Sequence, residues 1–192
     1  KLTSILGKYC GKRVFARNTT VSVVTTAQRR RFLNAHHIQG EGHGSLNMAL
    51  KDSNQEIVAV MTMQQLQDGK WMLNRFATSC SVVGGFSKLL NWFKSTEQWS
   101  SITTFADQRW SNGQLYVDAG FDVDGQVAVD YSYIIPTNTT RMHKFNFRRD
   151  KLAKRLGRYD PTLSETANMK INHIERIWDC GKIRFKMTNV SS

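Results

Sequence analysis

The chain has 192 residues, and its 40% hydrophobic and 10% aromatic content with only two prolines describes a packed globular core. Lys and Arg outnumber Asp and Glu by 27 to 15, a net charge of +12 that points to a polyanionic partner. No apolar run approaches the roughly 20 residues of a membrane span, and Cys10, Cys80 and Cys180 are too scattered for a disulfide scaffold or a zinc site. The expected compartment is therefore the reducing cytoplasm. The sequence opens on Lys1 and not on Met, as a fragment, a processed form or a trimmed chain would, which leaves room for an upstream segment; Lys1–Gly11 is basic and lacks the apolar stretch of a secretory signal. The sequons at Asn18, Asn138 and Asn189 carry no weight in such a compartment.

In chain order, Arg13–Ala16 and Val21–Thr25 are β-branched or aromatic runs that predict short strands. Thr25 is placed to cap a helix running through Leu33, and His36–Gly44 reads as a Gly- and His-rich loop. Leu46–Leu50 and Glu56–Met63 predict a β-hairpin, and Trp71–Phe76 a further strand. Val82-Val83-Gly84-Gly85 leads into Ser87–Ser95, where Leu89, Leu90 and Phe93 recur at helical spacing. Ile102–Ala106 predicts a strand, Asn112–Ala119 a short helix, Val127–Ile135 a strand, and Lys182–Met187 a closing strand.

From Arg141 the chain is basic and helix-prone. Arg148, Arg149, Lys151, Lys154, Arg155 and Arg158 would fall on about three helical turns, with Leu152 and Leu156 docking one side. Such a surface gathers phosphate and is the expected DNA-backbone contact; a solvated helix with no partner is the plain alternative. An anionic membrane is disfavoured, because the segment lacks a broad apolar face. Phe145 and Phe147 would stack on bases or, more commonly, dock to the core.

Several stretches fall in an order that carries a resemblance: HHIQG (36–40), VAVMT (58–62), NRFAT (74–78), VVGGFSKLL (82–90), FADQRWSNGQLYVDAGF (105–121) and RIWDCG (176–181). Together, from Arg13 to Lys186, they resemble a phage-encoded group of domains shaped like the GNAT N-acetyltransferases. These include the C-terminal halves of some phage homing-endonuclease-like proteins and, more distantly, the Mom DNA-modification proteins. The resemblance implies an α/β (α+β) fold with a mixed, mostly antiparallel central sheet flanked by helices. Residues 1–140 would form that core, and residues 141–192 a basic C-terminal helical extension packed on it.

The resemblance also implies site residues. An acyl-CoA donor, acetyl-CoA or another, would rest its pyrophosphate on the turn Val83, Gly84, Gly85 and Ser87, with Lys88 as a nearby cation; backbone donors at a helix start suit phosphate. Phe86 stands where the family has a small residue, and its ring would either block the phosphates or swing clear. The turn is otherwise a structural one before a core helix. Asp107 and Tyr116 match an aspartate and a tyrosine of the Mom-like pattern and would form an acid–base pair, unless they are a turn cap and a core residue. Arg109 and Trp110 suit a phosphate contact and a base stack, although Trp110 equally suits packing. His37, beside His36, is placed to serve as general base unless the two are ordinary loop residues, and Arg75 to pair with an acidic substrate or with Asp107, or to form a structural ion pair. No metal is expected.

Two functions are read from this. One is acyl transfer to a DNA base amine, with the base flipped or single-stranded. The other is a non-catalytic DNA-binding or specificity module, any nuclease lying upstream. Acylation of a protein or small amine ranks below both.

Overall fold

The computed structural model describes residues 11–135 and 138–189, without the side chains of residues 138–140 and 149. Cys10, and the side-chain role expected of Arg149, lie outside what it describes. The chain forms two compact units. One comprises the chain up to Phe105, Gly113–Asp124 and the chain from Arg184; the other comprises Ala106–Asn112 and Gly125–Ile183.

In the first unit, Arg13–Phe15 (β1) and Thr20–Val23 (β2) flank a 3-10 turn, and β2 leads into the helix Thr26–His36 (α1). Thr25 starts that helix with a capping box, accepting from the Gln28 N–H while the Gln28 side chain accepts from the Thr25 N–H. The strands Leu46–Lys51 (β3), Ile57–Gln65 (β4) and Lys70–Thr78 (β5) then form an antiparallel meander with β2. Ser81–Val83 (β6) pairs in parallel with β1, and Gly85–Thr96 (α2) follows. Next come Ser101–Asp107 (β7), Gln114–Asp118 (α3) and Asp122–Val127 (β8); Lys182–Thr188 (β12) enters last. The seven-stranded sheet has the order β2-β3-β4-β5-β7-β12-β8, with β5 and β7 parallel.

Strand parity decides which face each helix covers. Ala49, Val60 and Ala77 share a face across β3, β4 and β5, and Phe32 and Leu33 of α1 pack there. Met48, Met61 and Phe76 share the opposite face, where the buried Phe86 of α2 meets the edge of the Phe76 ring. The sheet is thus buried on both sides. That is why β3 to β5 read as long apolar runs instead of alternating ones.

The second unit holds Tyr131–Ile135 (β9), Asn138–His143 (β10), Arg149–Arg155 (α4), Glu165–Ile171 (α5) and Glu175–Trp178 (β11), with the sheet order β10-β9-β11. Its core joins Tyr133, Phe147, Leu152, Leu156, Met169 and Ile174. The compact units do not divide at residue 140, which lies inside β10, and most of the second unit is an insertion between β8 and β12. The strand expected over Val127–Ile135 is two strands. Asp130 breaks it, donating its N–H to the Asp179 carboxylate while its own carboxylate accepts from the Tyr131 N–H and the Lys144 ammonium.

Candidate functional site

The parallel ladder between β5 and β7 has three residue pairs and ends at Met72 and Thr103, although β5 runs on to Thr78. Just past that point the β4–β5 register slips, so that Asn74 bulges between Leu73, opposite Met63, and Arg75, opposite Thr62. Thr104, next in β7, sends its hydroxyl proton to the Leu73 carbonyl at 3.0 Å. A wedge therefore opens between Leu73–Thr78 and Thr104–Phe105, and Asn74, Arg75 and Thr104 are the polar side chains next to it.

From the α2 face, Tyr116 reaches the Thr104 side chain with its hydroxyl. Its ring packs against Phe86, Phe121 and Phe185. Burial pushes the phenol pKa up, opposed by the Thr104 hydrogen bond and the Arg75 charge, so the phenol is protonated at neutral pH. Arg75 lies on the α1 face in the row Asn47, Thr62, Arg75. Its guanidinium donates to the Asn74 carbonyl at 2.7 Å and the Gly40 carbonyl at 3.4 Å, and no carboxylate among the described residues pairs with it.

At the start of α2, Gly84 takes the left-handed conformation (φ 75°). A Cβ on Gly85 would stand 2.8 Å from Val82, so the tight turn needs both glycines. The Lys88 N–H makes the first helical bond, to the Gly84 carbonyl, leaving the N–H groups of Gly85, Phe86 and Ser87 without intrahelical partners. Val83, Gly84 and Ser87 are exposed. The backbone thus suits an anion. The Phe86 ring is 4% exposed and faces the core against Phe76, which is the swung-clear alternative of the two. Lys88 is committed elsewhere, donating to the carbonyls of Ala16 and Thr19, and does not serve as a free cation at the turn.

The other expected residues are placed as follows. His37 caps α1, and its Nδ1 accepts the Gln39 N–H at 3.1 Å, so the neutral ring carries its proton on Nε2. Asp107, in the second unit, is clamped by Arg109, whose Nε and Nη2 reach its two carboxylate oxygens at 2.9 and 2.5 Å. The Arg109 hydrogen bond holds the Asp107 carboxyl below the usual carboxylate range. Arg75 and Tyr116 are brought within electrostatic reach of each other, and the Asp107 carboxylate is engaged by Arg109. Trp110 is 40% exposed. Lys151, Lys154, Arg155 and Arg158 are exposed, while Leu152 and Leu156 are buried. The basic helix is shorter than expected, ending at Arg155, and Arg158 lies beyond it with its backbone held by Asn172. Arg148 lies over the Phe145 ring at 4.1 Å, and Phe147 is buried.

Sequence reasoning missed Asn47, Thr62, Arg29 and Glu41. Asn47 and Thr62 are buried polar residues inside apolar strands, with Oδ1 and Oγ1 unpartnered among the described residues. Their signal was a polar side chain interrupting each apolar run. Among the described residues no group of three or more His, Cys, Asp or Glu is placed to hold a metal. Among them, too, no helix is long and apolar enough to cross a membrane.

No model of a known protein family and no curated protein matches the sequence. Solved structures do. A Bacillus subtilis acetyltransferase in complex with CoA aligns with a TM-score of 0.50 at 13% identity, over 90% of this chain and 99% of that one. The spermidine/spermine N-acetyltransferase SpeG from Vibrio cholerae, solved with manganese ions, aligns with a TM-score of 0.50 at 9% identity, over 90% of this chain and 94% of that one. The fold is GNAT-like. At these identities the likeness is one of fold, and the chemistry of this GNAT-like chain has to be argued from its own residues.

Proposed function

We propose that the chain is an acyl-CoA-dependent N-acyltransferase whose acceptor amine lies on nucleic acid, with an exocyclic amine of a DNA base as the leading candidate. The wedge between β5 and β7 carries this reading, because it opens the sheet between an exposed anion-binding turn on the α2 face and a polar row on the α1 face. The CoA complex of the B. subtilis neighbour supports the choice of donor.

The N–H groups of Gly85–Ser87 would hold the donor pyrophosphate, and Val83 and Gly84 would flank it. Acyl-CoA supplies an activated thioester. This chain supplies Tyr116, which keeps its proton on Oη at neutral pH, and Arg75, whose charge makes that proton easier to release. The reading rests on Tyr116 as the proton donor; Asp107, already ion-paired, would act as a fixed charge. The acceptor class comes from the net charge of +12 and from the exposed cations of α4. A base inside a duplex is out of reach, so single-stranded or flipped substrate is required. The DNA-base choice and a phage origin rest on the Mom-like and phage-domain resemblance of the sequence.

Two observations favour a second reading, a DNA-binding module without chemistry of its own: Lys88 and the His37 Nδ1 are both engaged within the fold. Radiolabelled acetyl-CoA incubated with single-stranded DNA, duplex DNA, RNA and polyamines separates the two. Label in the single-stranded DNA, lost in Tyr116→Phe, is the expected result. Label in polyamine alone overturns the acceptor, and label nowhere leaves the module.

A further inference from the structure

On the α1 face lies a cavity of about 410 Å3 lined by Arg29, Arg30, Glu41, His43, Asn74 and Arg75. It is built by the segment after α1. The Glu41 N–H donates to Asn34, Asn74 holds the His43 carbonyl at 2.7 Å, and Gly42 packs on the Arg75 side chain so closely that a Cβ there would come within 3.1–3.2 Å of it.

The charges in this cavity do not balance. Three guanidinium groups face one carboxylate, and a single oxygen of Glu41 takes both Arg30 Nε at 2.8 Å and Arg29 Nη2 at 3.3 Å. Arg29 is 5% exposed, and its Nε has no acceptor among the described residues. Among the described residues the Arg75 guanidinium donates to backbone carbonyls alone, and burial pushes its pKa down. Burying guanidinium charge without a counter-anion is costly, and an anion from outside relieves it.

We propose that this cavity is a phosphate-binding site, which takes a dianionic phosphate monoester between Arg29, Arg30 and Arg75. Guanidinium forks match phosphate oxygens in pairs, and donors from two elements suit a tetrahedral group better than a planar one. Glu41 already occupies part of the site as an internal anion, and the excess over it is two positive charges, which a dianion meets. The phosphate is carried on a small molecule or at the end of a nucleic-acid strand. The site stands whether or not the chain transfers an acyl group.

The test is titration calorimetry without CoA, using inorganic phosphate, glycerol 3-phosphate, and one oligonucleotide with and without a 5′-phosphate. The expected result is binding of inorganic phosphate that weakens roughly tenfold or more in Arg75→Gln and in Arg30→Gln. Arg30 is largely exposed, so its variant folds even if Arg75→Gln does not. Glu41→Gln, which removes the internal anion, tightens binding, and affinity falls between pH 8 and pH 5 as the ligand loses its second charge. A preference for the 5′-phosphorylated oligonucleotide over its unphosphorylated form and over glycerol 3-phosphate names a strand end; equal binding of both phosphates names a small molecule. No binding, affinity unchanged in Arg30→Gln, or weaker binding in a folded Glu41→Gln overturns the proposal.

Discussion

Substitutions around Tyr116 separate chemistry from packing. Tyr116→Phe keeps the ring contacts to Phe86, Phe121 and Phe185 and removes only the hydroxyl. If that proton is used, kcat falls about 10²–10⁴-fold while stability changes by about 1 kcal/mol. Steady-state kinetics beside a melting curve reads both, and an unchanged rate removes Tyr116 from the chemistry. Phe86→Ala empties a core position and should cost about 3–5 kcal/mol in urea unfolding without strengthening CoA binding. Asp107 has a native pKa below its unfolded value, so its stabilising contribution is present above about pH 4 and is lost as pH falls through the native value. Asp107→Asn should therefore destabilise at pH 7 by about 1–2 kcal/mol and much less at pH 3, as measured by urea unfolding. An equal loss at both pH values would deny the ion pair its role.

Among the elements, the turn before α3 shows how little tolerance surrounds the tyrosine. Gly113 has φ 83°, and a Cβ there would stand 2.1 Å from the Phe185 ring. Gly113→Ala should cost about 2–5 kcal/mol, from backbone strain and overpacking together, and a melting temperature within a degree of the wild type would contradict the packing described. The sequence made α1 legible through Thr25 and Gln28, and α2 through Leu89, Leu90 and Phe93, because capping and helical periodicity are local signals. β10 and β11 escaped notice. Arg141–His143 and Glu175–Trp178 are polar or half-exposed strands on either side of β9; β10 follows β9 as a hairpin arm without an apolar alternation to mark it, and β11 pairs with β9 from about forty residues away. The wedge was legible only as a glycine turn and a tyrosine. The bulge at Asn74 and the orphaned polar atoms of Asn47 and Thr62 follow from strand register, which no local pattern encodes.

For the molecule as a whole, the inserted unit between β8 and β12 carries the exposed cations of α4 and is the expected seat of DNA contact. If Arg148, Lys151, Lys154, Arg155 and Arg158 each neutralise a phosphate, log affinity for duplex DNA falls against log salt with a slope of roughly −4 to −5. Replacing Lys154 and Arg155 by Ala reduces that slope by about 2, and a slope near zero in the wild type would place nucleic acid elsewhere or nowhere. The central claim concerns the other unit: the open glycine turn at the head of α2 and the wedge beside it form a donor site. Thermal unfolding over a range of acetyl-CoA concentrations tests this most directly, because a ligand held only by the native state raises the midpoint with the logarithm of its concentration. The account predicts that rise for the wild type and its abolition in Gly85→Val, compared at matched stability. A midpoint that stays flat up to millimolar acetyl-CoA would contradict it.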